Sequence, residues 1–271
     1  TAASAPQTGG APGFVFLRDQ GGNENAQIFY RDLTTRTTRR LTDGQSRNAS
    51  AVWSRDGRRV AYTSTARDGV SYDLYIADVL ENAAPRFVMN GMSKTWFALD
   101  WSVDDSKLLV LNYRSINESY LFIADAITGS LTPVDAGNNR VGIRAARFAP
   151  DGRYIYLISD RDSEFARLRR VDTVLDEVAI LTERIPWDIA SFDVSPDGRY
   201  VAFVANVDGY SRLTILDQIN QSEISPPLAD VQISNLAFDR TGKRLALSVE
   251  SALEPRDVYV LEVEKNALER W

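Results

Sequence analysis

The sequence predicts an all-β fold in which one four-stranded antiparallel module recurs six times, and two markers sharing a period carry that prediction. The first marker is an apolar anchor followed by a tight turn. It occurs at Ala51-Val52-Trp53-Ser54-Arg55-Asp56-Gly57, Leu99-Asp100-Trp101-Ser102-Val103-Asp104-Asp105, Ala146-Arg147-Phe148-Ala149-Pro150-Asp151-Gly152, Phe192-Asp193-Val194-Ser195-Pro196-Asp197-Gly198 and Leu236-Ala237-Phe238-Asp239-Arg240-Thr241-Gly242. The anchors stand 48, 47, 46 and 44 residues apart. The second marker is an apolar run closing on an acid, at Asp32, Asp78, Asp125, Asp172, Asp217 and Glu262, with steps of 46, 47, 47, 45 and 45. Four strands in about 40–50 residues, repeated radially, is the pattern of a β-propeller blade, because such a sheet buries both faces only by stacking on its neighbours.

Each unit divides into strands A to D. Strand A ends at the anchor, and in the Ser-Pro-Asp-Gly type turn after it Pro presets φ while Gly takes the left-handed conformation. Asp105 replaces that glycine in one unit, which reads as a weakened turn. Strand B follows at 60–64, 108–111, 155–158, 201–205 and 245–249, mostly apolar, as expected of a strand covered on both faces. Strand C carries the acid marker, as at 73–78 and 120–125, and strand D is a short edge, as at 39–44 and 179–182. The first unit shows B, C and D strands but no recognisable A strand, unless residues 1–12 supply it irregularly; the last finishes its D strand at 268–271. The blades are expected at 13–44, 45–91, 92–138, 139–183, 184–230 and 231–271, with 1–12 irregular or disordered and an open seam. No stretch holds a 3.6-residue apolar period for three turns, so no helix is expected.

Composition narrows the chemistry. The 271 residues include no histidine and no cysteine. Within this chain that excludes a Ser-His-Asp triad, an imidazole base, a thiol nucleophile, disulfides and His- or Cys-ligated metals. Against 31 Lys and Arg stand 37 Asp and Glu, a balance unsuited to a nucleic-acid or anionic-membrane footprint. No apolar run approaches the ~20 residues that span a bilayer. The Thr-Ala-Ser-Pro-Gly start lacks a charged and apolar leader pattern, and the chain reads as a piece of something longer. Near matches to a nucleophile elbow surround Ser46, Ser71, Ser93 and Ser211, each without its closing glycine. No phosphate-binding glycine loop, cofactor or metal set is expected, and the arginines at 36–40 and 167–170 read as solvated sheet edges.

Internal repetition supplies a functional contrast: what is alike in every blade serves the blade, and what differs is free to serve function. The D–A and B–C loops differ, and in a propeller both sets emerge on one face. That face is expected to display Arg47, Asn48, Trp96, Arg114, Asn117, Glu118, Arg144, Arg161, Glu164, Phe165, Trp187 and Asp188, residue types favoured at interfaces. The plainer alternative is ordinary polar loops with Trp96 and Trp187 tucked over the core.

The repeated Trp-Ser-x-Asp-Gly turn with its Ala-Tyr-Thr-Ser strand occurs alongside Arg18-Asp19-Gln20-Gly21-Gly22-Asn23-Glu24, Thr42-Asp43-Gly44-Gln45-Ser46-Arg47-Asn48, Ser115-Ile116-Asn117-Glu118-Ser119-Tyr120 and Ile185-Pro186-Trp187-Asp188. Over about residues 13–271 this combination resembles the N-terminal propeller of the prolyl oligopeptidase family of serine peptidases, nearest the dipeptidyl-peptidase and acylaminoacyl-peptidase branch. The resemblance implies a following α/β-hydrolase domain that carries the whole triad, with the propeller itself non-catalytic, capping that active site and gating oligopeptide access. It also implies an earlier blade upstream, seven in the parent protein. The dipeptidyl branch holds the substrate amino group with adjacent glutamates, and no Glu-Glu pair occurs here, so no such clamp is carried over. Two rivals remain: a Tol-type periplasmic propeller acting as a protein-interaction scaffold, since Tol propellers share the turn motif, and a carboxylate-based propeller enzyme, which would need paired acids with raised pKa values.

Overall fold

The computed structural model describes residues 3–4, 10–135 and 140–271. The protein is a β-propeller of six four-stranded antiparallel blades, with no helix among the described residues. Blade one joins β1 (Ala3–Ser4), β2 (Gly13–Arg18), β3 (Gln27–Asp32) and β4 (Thr38–Arg40). Blade two joins β5 (Asn48–Trp53), β6 (Arg59–Ser64), β7 (Asp73–Asp78) and β8 (Arg86–Met89), and blade three β9 (Thr95–Trp101), β10 (Lys107–Ser115), β11 (Glu118–Asp125) and β12 (Leu131–Pro133). Blade four joins β13 (Ile143–Phe148), β14 (Tyr154–Ser159), β15 (Arg167–Asp172) and β16 (Val178–Ile180). Blade five joins β17 (Ile189–Val194), β18 (Tyr200–Val207), β19 (Tyr210–Asp217) and β20 (Ser222–Ile224), and blade six β21 (Gln232–Phe238), β22 (Arg244–Glu250), β23 (Asp257–Glu262) and β24 (Ala267–Arg270). The chain divides into two compact units, Thr1–Val141 with Ala146–Phe148, and Gly142–Ala145 with Ala149–Trp271.

Both markers sit at strand ends. Every anchor is the last residue of an A strand, and every marker acid the last of a C strand. In the first blade Ala3–Ser4 pair antiparallel with Val15 and Phe16 of β2, so a short A strand exists where the pattern showed none. Most of the expected irregular segment 1–12 lies outside the described residues, as does 136–139.

Local chemistry explains the motifs. In the turns after β5, β9 and β17, the serine hydroxyls of Ser54, Ser102 and Ser195 donate to Asp56, Asp104 and Asp197 at 2.5–2.6 Å. The same oxygens accept the N–H groups of Arg59, Lys107 and Tyr200, closing the hairpin. Gly57, Gly152, Gly198 and Gly242 have φ of 67–74°, the left-handed region that glycine enters without strain. At the other end, Asp32, Asp78, Asp125, Asp172 and Asp217 each accept two backbone N–H groups of the C–D turn, which is why an acid recurs there.

Packing between blades supplies the core. Val15, Ile28 and Tyr30 of blade one meet Val60, Tyr62 and Ala77 of blade two. Ala61, Leu74 and Ile76 then meet Trp101, Leu108 and Val110. In the second unit Tyr156, Ile158 and Leu168 meet Phe192, Val201 and Phe203, and Tyr200, Ala202 and Val204 meet Leu245, Leu247 and Leu261. Strands β6, β14 and β18 are buried on both faces as expected, whereas β22 alternates buried and open positions and so departs from the expectation.

The arginine-rich edges are also more than solvated rims. Arg39 of β4 donates to the carbonyls of Val79 and Glu81 in the next blade at 2.7 and 2.6 Å, and Arg86 of β8 donates to that of Ala126 at 2.6 Å. Each guanidinium thus satisfies turn carbonyls that a neighbouring D strand would otherwise leave to water. Arg169 is buried and donates to the Arg161 carbonyl.

These carboxylates give the fold an acid limit. Asp172 is pulled down to about 2 by its bond from Arg153, Asp68 to about 2 by the Ser71 N–H, and Asp104 to about 2 by the Ser102 hydroxyl. A carboxylate with a lowered folded pKa stabilises the fold above its unfolded value near 4 and loses that contribution as pH falls towards 2. Stability followed by circular dichroism should therefore fall steadily from about pH 4 to pH 2, and Asp172→Asn should flatten that slope. A flat profile over this range would contradict the assignment.

Candidate functional site

The twelve loop residues fall into groups that the fold treats differently. Thr42 to Asn48 form a local lock. The amide of buried Gln27 donates to the carbonyls of Asn25 and Ser46, and its oxygen accepts from Thr42 and Gly44. Asn48 is interior and donates to the carbonyls of Ala26 and Ser46, while Arg47 remains exposed. Trp96 is 2% exposed, donates its indole N–H to the Gly91 carbonyl at 3.0 Å and packs against Phe122. Asn48 and Trp96 therefore support the loops from below and offer no surface. Their polarity and aromaticity looked functional only because a sequence does not show which loop side chains turn inward.

In the first unit the surface centres on the β10–β11 hairpin, which carries nine- and eight-residue strands and a two-residue link at Ile116 and Asn117. Glu118 gathers three partners: Arg114 at 3.0 Å, Arg140 at 3.4 Å and the Tyr120 hydroxyl at 2.9 Å. The Arg114 guanidinium lies 5.1 Å from the Tyr120 ring centre. The Tyr120 hydrogen bond, with both arginines, holds Glu118 below the usual carboxylate range, and the same bond raises Tyr120. Arg140 and Tyr120 were not singled out from sequence. Arg140 sits in a loop that was, but Tyr120 lies in an apolar C strand where an aromatic reads as packing.

In the second unit Arg144 pairs with Asp188 at 2.9 Å, and Asp188 also accepts the Ala166 N–H at 2.7 Å. Burial works to raise Asp188, but that N–H and Arg144 outweigh it and leave it lowered. Phe165 lies under Arg167, whose guanidinium is 5.4 Å from the ring centre and donates to the Thr182 and Ile185 carbonyls. Arg167, read from the sequence as part of a solvated sheet edge, is a further member of this cluster. Trp187 and Glu164 are exposed beside this pair, and Arg161 is half-buried.

Three of the four serines flagged as near matches have hydroxyls with structural partners. Ser46 donates to Asp43 at 2.8 Å, Ser71 to Asp68 at 2.7 Å, and Ser211 accepts the Ile233 N–H. Asp100 is the carboxylate with a raised pKa; burial drives the rise, and Arg55 at 2.7 Å and the Phe148 N–H at 2.9 Å occupy it. That arrangement is an interblade bond.

No protein-family model matches the chain. Two curated proteins do: the uncharacterized peptidase YuxL of Bacillus subtilis, 28% identical over 127 residues, and dipeptidyl-peptidase 5 of Porphyromonas gingivalis, 25% identical over 170. Over about half its length the chain is thus similar in sequence to two peptidases. The matched stretches are 47% and 54% of this chain but only 18% and 22% of those two proteins. Among solved structures, a puromycin-hydrolyzing peptidase of Mycobacterium tuberculosis superposes with a TM-score of 0.78 at 15% identity, covering 100% of this propeller and 45% of that chain. TolB of Acinetobacter baumannii superposes at 0.66 with 17% identity, covering 94% and 62%. These two likenesses establish the fold.

Proposed function

We propose that this chain is the non-catalytic propeller domain of a serine oligopeptidase, capping the active site of an α/β-hydrolase domain and gating oligopeptide access through its D–A and B–C loops. The observation that carries the reading is sequence similarity to two peptidases over about half the chain, in a protein without a histidine to activate a nucleophile. The exposed Arg114, Arg144 and Trp187 suit contact with a peptide or with a facing domain. The test compares the isolated chain with the longer polypeptide of its reading frame. The chain alone should hydrolyse no peptide or ester, and the longer protein should cleave oligopeptides. In the longer protein, Trp187→Ala with Arg144→Ala should lower kcat/KM for a hexapeptide by about tenfold and leave a single-residue ester unchanged. Turnover by the purified chain, or equal losses on both substrates, would sink the proposal.

A second reading, a Tol-type interaction scaffold, is favoured by the TolB superposition. It expects a stoichiometric protein partner on the same loops and no hydrolase in the reading frame.

A further inference from the structure

We propose that Arg114 and Arg140, arranged by Glu118 and Tyr120, form a receptor for the C-terminal carboxylate of an oligopeptide. The ligand's identity as a peptide rests on the oligopeptidase reading; the receptor geometry does not.

Charge is the first argument. Two guanidinium groups share one carboxylate, leaving one positive charge in excess. Donor count is the second. Arg114 reaches Glu118 through a terminal nitrogen, and Arg140 approaches the other oxygen through its Nε. A guanidinium carries five N–H donors, so both keep an outward fork suited to a second carboxylate. Their side chains are 50% and 82% exposed, so the forks are accessible.

Preorganisation is the third argument. The Tyr120 hydroxyl fixes Glu118, and its ring lies beneath Arg114. The Ser119 N–H donates to the Val141 carbonyl at 2.8 Å, tying the segment that bears Arg140 to the hairpin. Less rotamer freedom is then lost on binding. At the hairpin tip Ile116 is 81% exposed and offers apolar surface to the side chain next to the bound carboxylate.

The experiment is fluorescence anisotropy on this chain, using one labelled hexapeptide with a free C-terminus and the same peptide amidated. The free acid should bind about tenfold tighter, a preference that shrinks as salt is raised. Arg114→Gln with Arg140→Gln should abolish the preference, the free acid falling to the affinity of the amide, while the circular dichroism melt shows the fold intact. No binding of either peptide, equal affinity for acid and amide, or equal losses for both in the double variant overturns the receptor. An amidated peptide ending in glutamate that binds as tightly as the free acid overturns the C-terminal assignment. Because the readout is binding, a failed hydrolysis test leaves this result standing on its own.

Discussion

Replacing Trp101 by alanine should destabilise the protein by about 3–5 kcal/mol, the range for deleting a large buried aromatic. Trp101 is fully buried at the junction of blades two and three, among Ala61, Ile76, Leu108 and Val110. Its indole N–H donates to the Val52 carbonyl of the preceding blade at 3.1 Å, and the Arg59 guanidinium lies 5.0 Å from its ring centre. The truncation therefore removes a volume that both blades shape, orphans a carbonyl and uncovers a cation. Trp101→Phe keeps most of the ring but loses the N–H, so about 1–2 kcal/mol is expected. Urea unfolding followed by far-ultraviolet circular dichroism decides the matter, and a loss below about 1.5 kcal/mol for the alanine variant would show that the junction repacks. Trp53 should respond less. It occupies the same repeat position but is only half-buried, meeting Tyr30 edge-on at 6.3 Å.

That difference shows where sequence reading stops. The repeat announces every anchor and every strand, because turn chemistry and apolar periodicity are local and recur. How deeply a given anchor is buried depends on the neighbour it meets, which no single repeat contains. Asp105 makes the same point. By its own repeat it is a glycine position filled by a poorer residue, and its φ of 56° agrees. Across the blade junction its carboxylate accepts the N–H groups of Arg55 and Asp56 at 2.6 and 3.0 Å. Two later turns carry Pro150 and Pro196, which have no N–H to offer, and the turn after each has a glycine, Gly198 and Gly242, whose Cβ would point at that proline. Asp105 faces a turn that presents two N–H groups, whereas the turns that Gly198 and Gly242 face have one of these replaced by proline. The candidate surface was legible as a set of loops but not as residues: Asn48 and Trp96 turn inward, while Arg140, Tyr120 and Arg167 complete clusters that include contacts between residues as far as 22 apart.

The second large effect is expected at Asp100, the residue before the blade-three anchor. Its carboxylate receives Arg55 from blade two at 2.7 Å and the backbone N–H of the anchor Phe148 at 2.9 Å, with Arg147 close enough to favour its charge. Asp193 likewise accepts the N–H of the anchor Phe238 at 2.8 Å. An acid at this place joins the anchors of successive A strands, and only such a side chain reaches a neighbouring backbone that strand pairing leaves unsatisfied. Burial raises the pKa of Asp100, so its ionisation is costly, and it contributes most when its partners are intact. Asp100→Ala takes the carboxylate away from Arg55 and from the Phe148 N–H. Removing one member of a buried pair costs about 3–5 kcal/mol, and because Arg55 is 26% exposed the loss here should be nearer 2–4. Asp100→Asn keeps an oxygen for the N–H and gives up the charge, so about half that loss is expected. Because its folded pKa is raised above the unfolded value near 4, Asp100 adds stability as pH falls from that raised value to about 4, and its removal should abolish that gain while leaving the limb below pH 4 unchanged. Urea midpoints for both variants within about 0.5 kcal/mol of the parent would show that the anchors are held by packing alone.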